Sequence, residues 1–305
     1  MAMGDQVTAA GHVQIGNFLL GRGTPYRWVS LTGWEDLPAV DSGSVQKADG
    51  HGALLGGLLA QQRIVTLDGV MIRARAGEIG RAVQQLGAAT ALSDVEQPVV
   101  VQLDERGPLL MFARVTARSI PVGRGYTVGT VTGAAIQLTA SDPRRYELLE
   151  QVARATLPAA EPGLDWHDEA GLDWRTRNGR DDGLDFGPPG STGALTVRNT
   201  GSAPAHPVIE FRGPVSTPSL ANVATGDTLE YDLDLAAEDV LTVDTGEGTV
   251  TLNGSASRLY TATTRSLPEQ GFALWPGTTD LAFRAAPGSS DPAANVAVRW
   301  RSAFW

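Results

Sequence analysis

Val296-Ala-Val-Arg-Trp-Arg-Ser-Ala-Phe-Trp305 and Leu229-Glu-Tyr-Asp-Leu-Asp-Leu235 alternate apolar with polar side chains. Such alternation marks strands with one face in a core and the other in water. Val296, Val298 and Trp300 are expected to point inward, with Arg299 and Arg301 outward. Leu229, Tyr231, Leu233 and Leu235 oppose Glu230, Asp232 and Asp234 in the same way, and Leu281-Ala-Phe-Arg284 repeats the pattern. Working outward from these words, strands are expected at 194–199, 207–212, 228–235, 239–245, 248–253, 258–263, 270–275, 280–285 and 295–303. Thr245-Gly-Glu-Gly248 is read as a tight hairpin and Asn253-Gly254 as the next turn. So many short antiparallel strands in one stretch make a sandwich or jelly roll.

Residues 1–150 also read as mainly β, with runs at 12–20, 26–31, 63–75, 98–104, 108–119 and 124–139. One helix is expected between Ala76 and Ala89, from the spacing of Ile79, Val83 and Leu86, with Gly87 at its end. Asp68-Gly69 fits either a hairpin turn or a bulge within one strand. Asp142-Pro143 ends the run, and Arg145 to Ala155 reads as a short helix. Residues 158–193 differ in character: Gly163-Leu-Asp-Trp166, Gly171-Leu-Asp-Trp174 and Gly183-Leu-Asp-Phe186 sit among Pro, Gly and Asp. The expected organisation is an N-terminal β domain at 1–157, a Gly/Pro/Asp-rich linker at 158–193 and a C-terminal β-sandwich at 194–305.

At 305 residues, two domains are the default. The net charge of −10 and the lack of a Lys/Arg cluster argue against a phosphate-backbone partner. With no cysteine, disulfides, thiolate zinc sites and cysteine nucleophiles are excluded. The N-terminal residues lack the basic and apolar regions of a signal peptide, and the longest apolar run, near Ala53 to Ala60, is too short to span a bilayer. A soluble protein is expected.

The sequence shows no catalytic or metal-binding pattern. His12, His51, His167 and His206 have no ligand spacing, and neither a Gly-x-Ser-x-Gly word nor a P-loop is present. Gly123-Arg-Gly-Tyr-Thr-Val-Gly129 has the wrong spacing and setting for a dinucleotide loop. Asp232, Asp234, Asp239 and Asp244 are the acids a glycosidase would draw on, but they read as outward or turn residues. The acids of the linker invite a calcium reading. Asn178-Gly-Arg-Asp-Asp-Gly183, however, places arginine at a ligand position and Pro189 where a glutamate belongs. No catalytic residue, cofactor or metal ligand is assigned. Candidate interface residues come instead from two places. Leu54, Leu55, Leu58 and Leu59 lie in Gly50-His-Gly-Ala-Leu-Leu-Gly-Gly-Leu-Leu-Ala60, read as a core strand or as an arm laid on a neighbouring subunit. Trp166 and Trp174 lie in the linker, where they would dock onto a neighbouring surface or pack locally.

Taken in order, several words resemble the distal tail proteins of long-tailed, siphovirus-type phages. They are the aromatic turn Tyr26 to Gly33, Arg63-Ile-Val-Thr-Leu-Asp-Gly-Val-Met-Ile72, the helix after it, the strand pair 98–118 and Leu138-Thr-Ala-Ser-Asp-Pro-Arg-Arg-Tyr146. Asn199-Thr-Gly201, Pro207-Val-Ile-Glu-Phe211, Leu274-Trp-Pro-Gly277 and Trp300-Arg-Ser-Ala-Phe-Trp305 complete the series. The linker departs from it. The resemblance implies an N-terminal β-barrel-like domain with one helix and a C-terminal galectin-like antiparallel β-sandwich. It further implies a homo-hexameric ring in the virion, made in the host cytoplasm. That ring would join the tail tube protein to the tail-tip hub, pass DNA without binding it specifically and hold receptor-binding proteins. No enzymatic activity, cofactor or membrane partner is implied. The competing readings are a carbohydrate-binding or glycan-hydrolysing sandwich protein and the equivalent hub of a contractile injection particle.

Overall fold

A computed structural model of the chain describes residues 3–160 and 190–305. They fold as two compact units, Met1–Leu149 together with Ala303–Trp305, and Glu150–Ser302. The division at Leu149 falls before the expected limit at residue 157, and the chain's last three residues return to the first unit.

The first unit is an antiparallel, nearly closed barrel. Its strands run in the order Phe18–Leu20, His12–Ile15, Gln97–Gln102, Leu109–Ser119, Thr130–Ala140, Arg63–Arg73 and Tyr26–Arg27. Ser30–Thr32 pairs further along Arg63–Arg73. In that long strand Val65 and Leu67 are buried, and so are Val70 and Ile72, although the two pairs are out of phase by one residue. The phase is reset by a bulge at Asp68-Gly69, where Gly69 has φ 63° and the ladder to Thr130–Ala140 shifts register. The dipeptide is thus a bulge within one strand, not a hairpin turn. Side chains finish the barrel where backbone pairing stops: the Phe18 and Tyr26 rings lie 4.6 Å apart, and Trp28 Nε1 donates to the Gly11 carbonyl at 3.0 Å. The helix Ile79–Ala89 buries Ile79, Ala82 and Leu86. It runs past Gly87 and ends at Thr90, whose hydroxyl donates to the Leu86 carbonyl at 2.6 Å.

The expected helix from Arg145 to Ala155 is absent. Two strands replace it, Arg145–Glu147 and Gln151–Thr156. Each finds a ladder that outweighs helix propensity: Arg145–Glu147 lies between Leu109–Leu110 and Ala303–Phe304, and Gln151–Thr156 pairs along the whole of Asn295–Trp300.

The second unit has two principal sheets. One runs Gln151–Thr156, Asn295–Trp300, Val208–Arg212, Val240–Asp244, Thr249–Leu252, Ala256–Ser257; the other runs Ala194–Asn199, Gly277–Arg284, Ser219–Asn222, Thr228–Glu230. Their inner faces meet at Phe211, whose ring lies 5.9 Å from Phe283 and 6.3 Å from Tyr231. Val296, Val298 and Trp300 are buried as the alternation requires, as are Leu229, Tyr231 and Leu235. The stretch 228–235 is not one strand, however. Thr228–Glu230 joins the smaller sheet, while Asp234–Leu235 pairs with Val215–Ser216. The expected strands at 258–263 and 270–275 are replaced by short 3₁₀ turns, Leu259–Thr261 and Glu269–Gly271. The final strand ends at Trp300.

Tyr231 donates to Oε1 of the buried Glu269 at 3.1 Å. Burial, aided by this carboxylate, holds the phenol above its ordinary range. Tyr231→Phe would leave the carboxylate without its donor and is expected to cost about 1–3 kcal/mol, measured as a lower urea midpoint with an unchanged slope.

Candidate functional site

Between Asp36 and Arg63 the chain leaves the barrel as a ribbon. Val40–Asp41 pairs with Leu59–Ala60, and Val45–Gln46 with Ala53–Leu54. Glycine permits the close approach: a Cβ on Gly56 would stand 2.3 Å from the Ser42 carbonyl oxygen. Gly50–Ala60 is therefore no core strand, because a two-stranded ribbon has no further layer to bury its side chains against. Leu54, Leu55, Leu58 and Leu59 are 64%, 88%, 72% and 70% exposed, and Leu37, Val40 and Val45 are exposed with them. The sequence reading missed the last three.

The base of this arm is held from both sides by one buried side chain. Arg63, where the chain re-enters the barrel, donates from Nη1 to the carbonyls of Gly33 at 2.7 Å, Trp34 at 3.1 Å and Asp36 at 2.6 Å, where the chain leaves it. Nε donates to Pro143 O at 2.6 Å. Gly33, at φ 79°, is pressed so close that a Cβ would meet the Ile64 carbonyl oxygen at 1.9 Å. Burial, reinforced by Arg145 and offset by Asp36 and Glu35, brings Arg63 down to about 10, so it remains charged at neutral pH. Beside it, Arg145 lies over the Trp34 ring at 5.7 Å and pairs with Glu35 at 3.1 Å. It also donates to the Trp305 carbonyl.

The other sequence candidates are dispersed. Trp166 and Trp174 lie outside the described residues, as do the acids of the linker. Trp300 is buried, whereas Trp275 is 65% exposed in the second unit; Trp305 belongs to the first. Of the four sandwich acids, three serve turns or local contacts. Asp244 Oδ1 accepts the amides of Gly246 and Glu247 at 2.9 and 3.0 Å. Asp239 accepts Asn253 Nδ2 and the Ala236 amide, which hold its carboxyl below the usual range. Asp234 accepts the Ser216 hydroxyl, and Asp232 is exposed. Among the described residues, no three His, Asp or Glu side chains form a metal-sized cluster.

Residues 200–304 match the family model of the siphovirus-type tail component, C-terminal domain. The matched residues lie almost entirely in the second unit. The likeness in fold extends further. SPP1 Dit, described as a paradigm of the hub adsorption apparatus in phages infecting Gram-positive bacteria, superposes with a TM-score of 0.64 at 11% identity. The match covers 96% of this chain and 99% of that one. The phage P2 baseplate in its activated conformation with Ca matches at a TM-score of 0.49 and 10% identity, over 92% of this chain and 93% of that chain. No curated protein matches the sequence. The likeness to SPP1 Dit is thus one of fold, and it takes in the barrel as well as the sandwich.

Proposed function

We propose that the chain is a structural hub of a phage tail tip, in which six copies close a ring through residues 1–149 and continue the tail tube toward the host-recognition apparatus. The observation that carries this reading is the apolar arm of residues 37–60, exposed on both faces and rooted on a buried clamp. A ribbon of this kind gains stability only when a second surface covers it. In a ring, the arm of one copy would lie on the barrel of the next, within an interface of about 2,000 Å² or more. The sandwich would then carry contacts to receptor-binding proteins, and DNA would pass through the centre. The mature location is the virion.

Charge refines the picture of the channel. Residues 1–149 hold thirteen acidic and thirteen basic side chains, so the chain's net −10 falls wholly in residues 150–302. A negative channel lining would have to come from the few side chains that face it, not from the net charge of the ring-forming unit.

Leu55→Asp/Leu58→Asp is expected to abolish ring formation, alone or in assembled tails, without changing the thermal unfolding of the monomer, since both positions are exposed in it. Negative-stain images read the outcome. Intact rings from this variant would remove the arm from the interface, and the absence of rings from the unaltered chain and from tails would sink the hub reading.

No turnover is expected. The depression lined by Asp232, Tyr260 and Thr261–Thr264 is the place where a glycan reading would be tested. Hydrolysis of a polysaccharide or peptidoglycan that disappears in Asp232→Ala or Asp244→Ala would overturn the structural assignment.

A further inference from the structure

The first unit is neutral overall, yet its charges are unevenly paired. At the end of the barrel where Arg63–Arg73 begins, Arg106, Arg144 and Arg145 are matched by Asp104, Asp142 and Glu35. The opposite end is different. Arg73 closes the long strand, opposite Thr130 and beside Pro25. Arg27 lies opposite Met71 on the same outer surface. Arg124 opens the 3₁₀ turn that leads into Thr130, and Ala74 bonds to Gly129 at 3.0 Å, bringing Arg75 alongside. Arg81 stands in the first turn of the helix. All five are exposed, and none forms an ion pair with a described residue. Between Arg73 and Arg81 the only carboxylate is Glu78. Val122 and Val128, at 75% and 72% exposure, stand among them.

Guanidinium groups interleaved with exposed apolar side chains suit a protein surface better than a phosphate backbone, which offers nothing for the valines. The chain itself contains the complementary chemistry. Residues 161–189 hold eight carboxylates against three arginines, and each Gly-Leu-Asp word ends in an aromatic residue: Trp166, Trp174 or Phe186. We propose that the arginine end of the barrel in one copy receives this acidic, aromatic segment from a second copy. The aspartates pair with these guanidinium groups, and the Leu and Trp side chains cover Val122 and Val128. The inference does not depend on the hub reading, because it concerns a contact of two chains whether or not a ring closes.

The test uses full-length protein with Asp165, Asp168, Asp173, Asp181, Asp182 and Asp185 changed to Asn, so that the receiving end is free. A fluorescent peptide of residues 161–189 is expected to bind it, as read by anisotropy, and to weaken steeply as salt rises from about 0.05 to 0.5 M. Arg27→Glu/Arg73→Glu/Arg124→Glu in that receiver should weaken binding about tenfold or more. A peptide with Trp166→Ala and Trp174→Ala should also bind more weakly. Mixing the Asp→Asn chain with a chain carrying only the arginine reversals should give a two-chain complex by sedimentation. An absent peptide complex, an affinity unmoved by charge reversal, no trans complex, or duplex DNA binding more tightly than the peptide through the same arginines would each overturn the proposal.

Discussion

Deletion of residues 295–305 is expected to unfold the C-terminal unit while residues 1–149 remain folded. Asn295–Trp300 lies between Gln151–Thr156 and Val208–Arg212, so its loss removes two ladders at once. It also removes the buried side chains of Val296, Val298 and Trp300. At roughly 25 cal/mol per Å² of apolar surface, those three side chains contribute several kcal/mol. That approaches the whole stability of a domain, about 5–15 kcal/mol. The barrel loses the short pairing of Ala303–Phe304 with Arg145–Glu147 and the contact of Arg145 with Trp305, while its other strands keep their ladders. Limited proteolysis should leave a resistant fragment whose end lies near residue 150, because Gln151–Thr156 no longer has its partner. A shorter deletion, of residues 303–305 alone, should leave the sandwich resistant. Joint digestion of both halves in the longer deletion would mean that the units depend on each other.

Arg63→Met is expected to destabilise the barrel by about 3–5 kcal/mol, since four carbonyls lose their donor in a buried setting. For a unit of this size that lowers the melting temperature by about 10 °C. Arg63→Lys should recover only part of the loss. A single ammonium cannot reach both Pro143 and the Gly33–Asp36 turn from one position, whereas the guanidinium fork does. The arm should also become sensitive to protease at concentrations that spare the rest of the barrel. A melting point within about 2 °C of the parent would show that the clamp carries little of the barrel's stability.

The sandwich was the more legible half because alternation is a property of consecutive residues. Val296, Val298 and Trp300 declared their burial without reference to any partner. The same signal misled at 228–235, where side chains keep facing inward while the backbone changes partner sheets between Glu230 and Asp234. Gln151–Thr156 was unreadable for the opposite reason: its residues are intermediate or exposed, and only the neighbouring Asn295–Trp300 makes a strand of it. Gly50–Ala60 shows the limit for candidate sites. Glycine and leucine in that mixture describe a core strand and a bare ribbon equally well, and the choice rests on whether another layer lies opposite. Arg63 gave no signal at all. An arginine at the start of a strand normally faces water, and the carbonyls that hold this one come from turns at 33–36 and 143.

The return of Ala303–Trp305 to the first unit bears on the order in which the protein is made. The ribosome releases the barrel's other strands well before its last one, and the entire sandwich emerges in between. Domains generally fold in the order of their synthesis. Here the first to begin is the last to finish, with the edge at Arg145–Glu147 waiting until translation reaches Phe304. Once that strand is in place, the sandwich is tied to the barrel's chain at both Leu149 and Ala303. A single break in the segment between residues 161 and 189 would then leave each fragment contributing strands to the sandwich, so the two should co-purify rather than separate.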